Sequence, residues 1–378
     1  MVGRVLPRVA LREAAVPAVE VAARHAEDAD ANRTLSPQVV EALVAAGFCR
    51  HFVPTRFGGT AGRFDDLLAA TTTIGAACTS AAWCGSLAAG AGRLGAFLPE
   101  EGQSELWADG PDQLVVAALN PTGSAEPVAG GWRLRGSWRY TSGVDSSDWA
   151  LVCAPQPQDG QVVRYFLVPR AGYQVVDDWS PTGMRGTGSN TLVLAEAFVP
   201  HHRAFRRDDM LRGEAVGSTA RCHTVPLRVA SGLLFAAPAL GAAHGALAAW
   251  SARAARGAAG RPGDELELAR TVAEVDVAAL LLRRAARVAD REAVTPTEAA
   301  RNPMDCALAV EYLVGAVQRM FRAAGTSGQF AREPLQRYWR DIHFLASHVA
   351  LRLETVGSAY GAHLRQAAVS TDTATAGR

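Results

Sequence analysis

The 378-residue chain is 49% hydrophobic and carries a formal net charge of +1, enough apolar material for two or three structural units and no electrostatic bias toward nucleic acid. It contains no lysine, which excludes P-loop nucleotide chemistry, pyridoxal-phosphate Schiff bases and Ser–Lys dyads. HExxH and GxSxG are absent, and the dispersed Cys49, Cys78, Cys84, Cys153, Cys222 and Cys306 show no CxxC spacing, so neither a metal nor a disulfide framework is expected.

The first 24 residues include Glu13, Glu20 and several arginines, without the apolar core of a signal peptide. No membrane span is expected either, so the reading is a cytoplasmic protein. From about Pro7 to Gly110 the pattern is helical. Ser36-Pro37 ahead of Val39, Val40, Leu43 and Val44 predicts an N-cap, a proline in the first turn and an apolar stripe. Further helices are expected over Asp65–Cys78 and Ala81–Leu98, with Phe57-Gly58-Gly59 breaking the chain before them.

From about Gln113 to Pro200 the period becomes two. Strands are expected at Leu114–Leu119, Trp132–Tyr140, Trp149–Ala154, Val162–Val168, Tyr173–Val176 and Leu192–Phe198. So many short strands predict a small antiparallel barrel or sandwich. From about Val225 the helical period returns, with helices expected over Leu227–Arg256, Glu265–Glu292, Asn302–Ala324 and Pro334–Tyr360 and a separator at Gly257–Gly263. That spacing predicts a four-helix bundle. The expected fold class is α+β in three domains: 1–110 helical, 111–205 a small β-barrel, and 206–378 the bundle. A ligand cleft is expected where the β unit meets the bundle.

Four motifs in this order resemble the acyl-CoA dehydrogenase superfamily: AGFCRHFVPTRFGG (Ala46–Gly59), GSWRYTSGVDSSDWALV (Gly136–Val152), PTGMRGTGSNTLVLAEAFVP (Pro181–Pro200) and RYWRDIHFLASHVAL (Arg337–Leu351). Dehydrogenases of that superfamily need a carboxylate base. Here Val349 stands where the resemblance puts it, no carboxylate lies between His223 and Trp250, and Glu354 is the nearest substitute. Ser142-Gly143 and Trp339-Arg340-Asp341…His348 instead resemble the two-component flavin monooxygenase branch, which includes phenol and polyketide hydroxylases. That resemblance implies a flavin-dependent monooxygenase in which reduced flavin (FADH2 or FMNH2) and O2 hydroxylate a small aromatic substrate by way of a flavin hydroperoxide. It also implies a separate NAD(P)H:flavin reductase and a homodimer or homotetramer. An acyl-CoA dehydrogenase, and a non-catalytic scaffold of the same fold, are the alternatives.

The resemblance gives Ser142 and His348 catalytic roles. Ser142, with Thr141, would bond the flavin ring; by residue type alone it is also a strand-end turn. His348, on the last helix, would move a proton at the oxygen or the substrate; the plain reading is a buried histidine bonded to a carbonyl. The glycine-rich Arg185-Gly186-Thr187-Gly188-Ser189 can approach a phosphate or a flavin ring, or be an ordinary turn. Trp138 and Trp179 could stack on the ring. Arg322 with Gly325, Thr326 and Ser327 would hold a flavin phosphate, in relatives often across a subunit boundary, or form a plain helix–helix turn. Trp83 and Ala91 would line the substrate pocket with His348. Related phenol hydroxylases carry His or Asn where Ala91 stands, which points to a larger substrate, polycyclic or indole-like.

Overall fold

The computed structural model describes residues 9–156, 159–253 and 264–376. Among the described residues, seven helices come first: α1 (Leu11–Ala14), α2 (Val16–Arg24), α3 (Ala26–Asn32), α4 (Pro37–Ala46), α5 (Phe64–Ala77), α6 (Thr79–Gly95) and α7 (Glu100–Leu106). Ser36 does occupy the N-cap of α4, with Pro37 in the first turn, but its hydroxyl makes no capping bond. Gly90 to Gly95 spells GxGxxG. The string lies inside α6 rather than at a strand-to-helix turn, so its glycines serve helix packing and not a dinucleotide loop.

Eight strands follow: β1 (Val115–Ala118), β2 (Ser124–Val128), β3 (Gly131–Trp138), β4 (Trp149–Gln156), β5 (Asp159–Pro169), β6 (Gln174–Val176), β7 (Thr191–Pro200) and β8 (Ala204–Arg206). They form two open four-stranded sheets, ordered β1-β4-β5-β8 and β2-β3-β7-β6. Of the barrel or sandwich that the strands predicted, the structure forms the two-sheet sandwich, with one departure from antiparallel order: β1 pairs with β4 in parallel. It stays open because no edge strand pairs with the other sheet. The strands β2 and β8 went unforeseen: β2 carries Pro127, tolerated because it is an edge strand, and β8 is three residues long. Trp132, Leu134, Trp138, Val152, Phe166 and Leu192 fill the space between the sheets. The outer face of the first sheet is covered in turn by Leu94, Phe97 and Trp107.

The remaining helices are α8 (Arg207–Arg212), α9 (Arg221–Thr224), α10 (Leu227–Arg253), α11 (Asp264–Asp290), α12 (Pro296–Ala323), α13 (Pro334–Leu345) and α14 (Leu353–Ala376). The expected separator at 257–263 lies outside the described residues. The N-terminal helices and the bundle share one apolar core, running from Leu11 through Ile74 and Leu233 to Leu351. At one crossing Gly75 meets Gly241, and a Cβ on Gly241 would come within 2.6 Å of the Gly75 Cα, so α5 and α10 touch backbone to backbone. The helix α10 is long and apolar enough to cross a membrane, contrary to the sequence expectation, yet 72% of its apolar window is buried inside the protein. It is the central helix of the core.

The helix expected over Pro334–Tyr360 breaks. It stops at Leu345, and His348 adopts an extended backbone ahead of a short 3-10 turn, Val349–Leu351. No proline or glycine marks the break. It is set by tertiary contact: Leu351 is buried, and the His348 ring accepts from the Ala350 N–H.

Candidate functional site

A cavity of about 1160 Å³ opens between the first sheet, α6, α10 and the α13–α14 connection. That exceeds the ~300–1,000 Å³ of an ordinary small-molecule pocket and leaves room for two ligands together. Ser142, Trp83, Thr187, Ser189, His348 and Phe235 all line it.

The polar wall is an ordered relay. The Trp83 indole N–H donates to Ser142 Oγ at 3.0 Å. Ser142 Oγ and Ser189 Oγ lie 2.8 Å apart, and Ser189 Oγ and Thr187 Oγ1 2.6 Å. Thr187 Oγ1 donates to the Met184 carbonyl at 2.8 Å. Since Thr187 spends its proton on that carbonyl, Ser189 donates to Thr187 and Ser142 donates to Ser189. Ser142 is left with one free lone pair, an acceptor for an N–H of a ligand.

The loop carrying these hydroxyls is stitched in place by the Arg340-Asp341 pair. Asp341 Oδ1 accepts the Met184 N–H at 2.6 Å, fixing Met184 in the left-handed region at φ 54°. Burial pushes the Asp341 carboxyl up to about 6. Arg340 forks onto Asp30 of α3 at 3.1 and 2.7 Å and donates to the Thr182 carbonyl at 2.7 Å.

Across the cavity, His348 stacks on Phe235 with ring centroids 3.9 Å apart and meets Trp83 edge-on at 5.7 Å. Burial lowers its pKa to about 4, so the ring is neutral at physiological pH. Nδ1 accepts from the Ala350 N–H at 3.2 Å, which places the proton on Nε2. His348 therefore presents a hydrogen-bond donor and not an imidazolium. His343 is turned away, bonded to the Trp339 carbonyl.

Other expected site residues are placed differently. Trp138 lines the cavity while packed between the sheets, its indole donating to the Cys153 carbonyl at 2.8 Å. Thr141 is buried and donates to the Trp138 carbonyl. Arg185 binds the Asp30 and Pro181 carbonyls. At Gly186 a Cβ would meet Ala29 Cβ at 2.9 Å, so this glycine serves close packing. Trp179 does line the cavity, edge-on to Phe344, with its indole N–H on the Met184 and Arg185 carbonyls. Ala91 lines it as well. Arg322, Gly325, Thr326 and Ser327 lie off this cavity; Ser327 accepts from Arg253 at 2.7 Å.

Residues that the sequence reading missed complete the wall. Asp145 is the one carboxylate lining the cavity among the described residues, and it accepts from Asn190 at 3.0 and 3.3 Å. Tyr140, with φ 65°, stands exposed at the rim. Val349 also lines the cavity, while Glu354 is an exposed residue off it. An α-proton abstraction thus has no base of the dehydrogenase type. The residues fit a flavin ring: a mostly apolar slot with a hydroxyl acceptor on one wall and a neutral imidazole donor on another.

The fold and this wall define a flavin enzyme of acyl-CoA dehydrogenase architecture, and residues 233–353 match the family described as acyl-CoA dehydrogenase, C-terminal domain. The chain is 31% identical over 367 residues to the FADH(2)-dependent resorcinol hydroxylase, oxygenase component, of Rhizobium sp. (strain MTP-10005), covering 90% of this chain and 89% of that one. The 3-HSA hydroxylase structure from Rhodococcus sp. RHA1 superposes with a TM-score of 0.90 at 26% identity, covering 95% of this chain and 97% of that one. The structure of XiaF from Streptomyces sp., in complex with FADH2 and glycerol, does so at 0.85 and 25%, covering 93% of each. The chain belongs to the family of flavin-dependent, two-component monooxygenase oxygenase components. It is an oxidoreductase that uses reduced flavin and O2, with reducing equivalents from a separate component.

Proposed function

We propose that the cavity hydroxylates an aromatic ring larger than a simple phenol, polycyclic or indole-like, with Ser142 and His348 as the catalytic pair. The observation that carries this reading is the directed relay from Trp83 through Ser142 to Met184, facing a neutral His348 across one apolar cavity. Reduced flavin, when bound, supplies the two electrons that let one atom of O2 enter the substrate and the other leave as water. Ser142 offers its free lone pair to an N–H, which suits a reduced ring better than an oxidised one. Thr187 and Ser189 fix the direction of that lone pair. His348 holds a proton on Nε2 for an oxygen in the cavity, and Phe235 keeps its ring in place. Trp83, Phe235 and Trp179 exclude water with apolar surface. The small Ala91 leaves width for a second ring.

Arg322, Gly325, Thr326 and Ser327 are assigned to a flavin phosphate reaching across a subunit boundary in a homodimer or homotetramer. The half-exposed Phe330 beside that turn supports a partner surface there. The electron donor is assigned as an NAD(P)H:flavin reductase. Six free cysteines support a cytoplasmic location.

The test is single-turnover oxidation with dithionite-reduced FAD or FMN and 18O2, in the presence of phenols, naphthols and indoles. One 18O atom in a bicyclic product is expected. No 18O in any aromatic compound under any condition would overturn the reading.

A further inference from the structure

Arg93 is a buried cation for which the protein supplies no counter-ion. It sits on α6, is only 2% exposed, and lines the cavity. Nε donates to the Cys222 carbonyl and Nη2 to the Val225 carbonyl, on the segment leading into α10. Nη1 is bonded to no described residue. Burial lowers the guanidinium to about 10, which leaves it charged at neutral pH, and the nearby Arg221 only adds repulsion. Other largely buried arginines are answered: Arg253 by Glu333 at 2.9 Å, and Arg340 by Asp30 at 2.7 Å. Two carbonyl oxygens and the Phe97 ring, 5.8 Å from the guanidinium carbon, solvate the group without neutralising it, and a buried charge without a counter-ion is costly. Gly90, Ala91 and Ala230 line the same cavity.

We infer that Arg93 is a specificity residue whose free Nη1 pairs with an anionic group, a carboxylate or phenolate, on the aromatic substrate. This rests on the aromatic reading above. It narrows the substrate class to rings bearing an acidic substituent, held on the wall formed by α6 and α10. Arg139 and Arg352 also line the cavity, so the test must separate Arg93 from them.

The experiment is equilibrium binding of 2-naphthoate and its neutral isostere 2-naphthamide to the intact protein, by calorimetry. A charge-assisted bond predicts about tenfold or greater preference for the naphthoate. Arg93→Met should erase the preference while leaving naphthamide binding within about threefold; Arg139→Gln and Arg352→Gln should retain it. Equal affinity for the two probes in the unmodified protein, a measurement that needs no variant, would overturn the inference. So would loss of the preference in the Arg139 or Arg352 variant alone. If neither probe binds, the aromatic reading itself falls, and this inference with it.

Discussion

Trp83 donates its indole N–H to Ser142 at 3.0 Å, a bond between the N-terminal part of α6 and a strand-end turn 59 residues later. The same indole meets His348 edge-on, so one ring fixes the spacing of both proposed catalytic groups. Trp83→Phe keeps most of the ring and removes the donated proton. Ser142 is then free to rotate. The expected result is a several-fold fall in product formed per O2 consumed, with reduced-flavin affinity changed by less than about tenfold, as the loss of one ~1 kcal/mol hydrogen bond implies. Oxygen-electrode and product measurements on one sample check it. An unchanged coupling ratio would show that the bond only packs.

Removing His348 removes the proton-bearing Nε2. His348→Ala should lower single-turnover product formation by roughly 100-fold, at the low end for a positioned acid or base. His348→Asn, which offers an N–H of similar reach, should recover part of that loss. Because the imidazole titrates at about 4, the rate should show no ionisation of this group between pH 6 and 8. A His348-dependent inflection near neutrality would contradict the geometry.

Asp341→Ala strips the acceptor from a buried backbone N–H and should cost about 1–3 kcal/mol in urea unfolding. Asp341→Asn keeps an acceptor and should cost less. Both should weaken binding of reduced flavin if the Met184 loop positions Thr187 and Ser189.

Acid stability follows from the buried titrating groups. His51, His223 and His348 are each lowered to about 4 by burial, against ~6.5 in the unfolded chain. As pH falls below ~6.5 the unfolded chain takes up protons that the fold refuses, so their contribution to stability is lost. Asp341 acts in the opposite sense: raised to about 6, it takes its proton in the fold first, and so gains stability as pH falls through 6. Asp341→Asn deletes that compensation. Its Tm should therefore fall more steeply than that of the unmodified protein between pH 6 and 4.5, by scanning calorimetry; parallel slopes would refute the assignment.

Ala91 lines the cavity, and in the proposed function it sets the width of the slot. Ala91→Leu should weaken binding of naphthol-sized ligands by about tenfold and of single-ring phenols by under threefold, since adding methylenes to a packed wall costs ~1–3 kcal/mol where the space is needed. Equal losses for both would place the second ring elsewhere.

The order of helices, strands and bundle was legible because the hydrophobic period changes from 3.6 to 2 and back. Ser142 and His348 were legible through motif resemblance, and the structure lines the cavity with both. Their partners were not. The bond from Trp83, the tie from Asp341 to Met184 and the stacking of Phe235 join residues 59 to 157 positions apart, and no local pattern encodes them. The break at His348 was hidden for a related reason: FLASHVALRLETV reads as helix by propensity, and only burial of Leu351 and the ring's bond to Ala350 stop it. Trp138 illustrates the converse. An alternating strand says that a tryptophan is buried on one face without saying that the same ring packs between two sheets and lines the cavity.

The stitch between Met184 and Asp341 also ties the loop to a segment of the chain made much later. During synthesis, residues 137 to 190 leave the ribosome long before Asp341 does, so the Met184 N–H lacks its carboxylate acceptor until the last part of the chain arrives. The loop is therefore completed by the same late segment that carries His348.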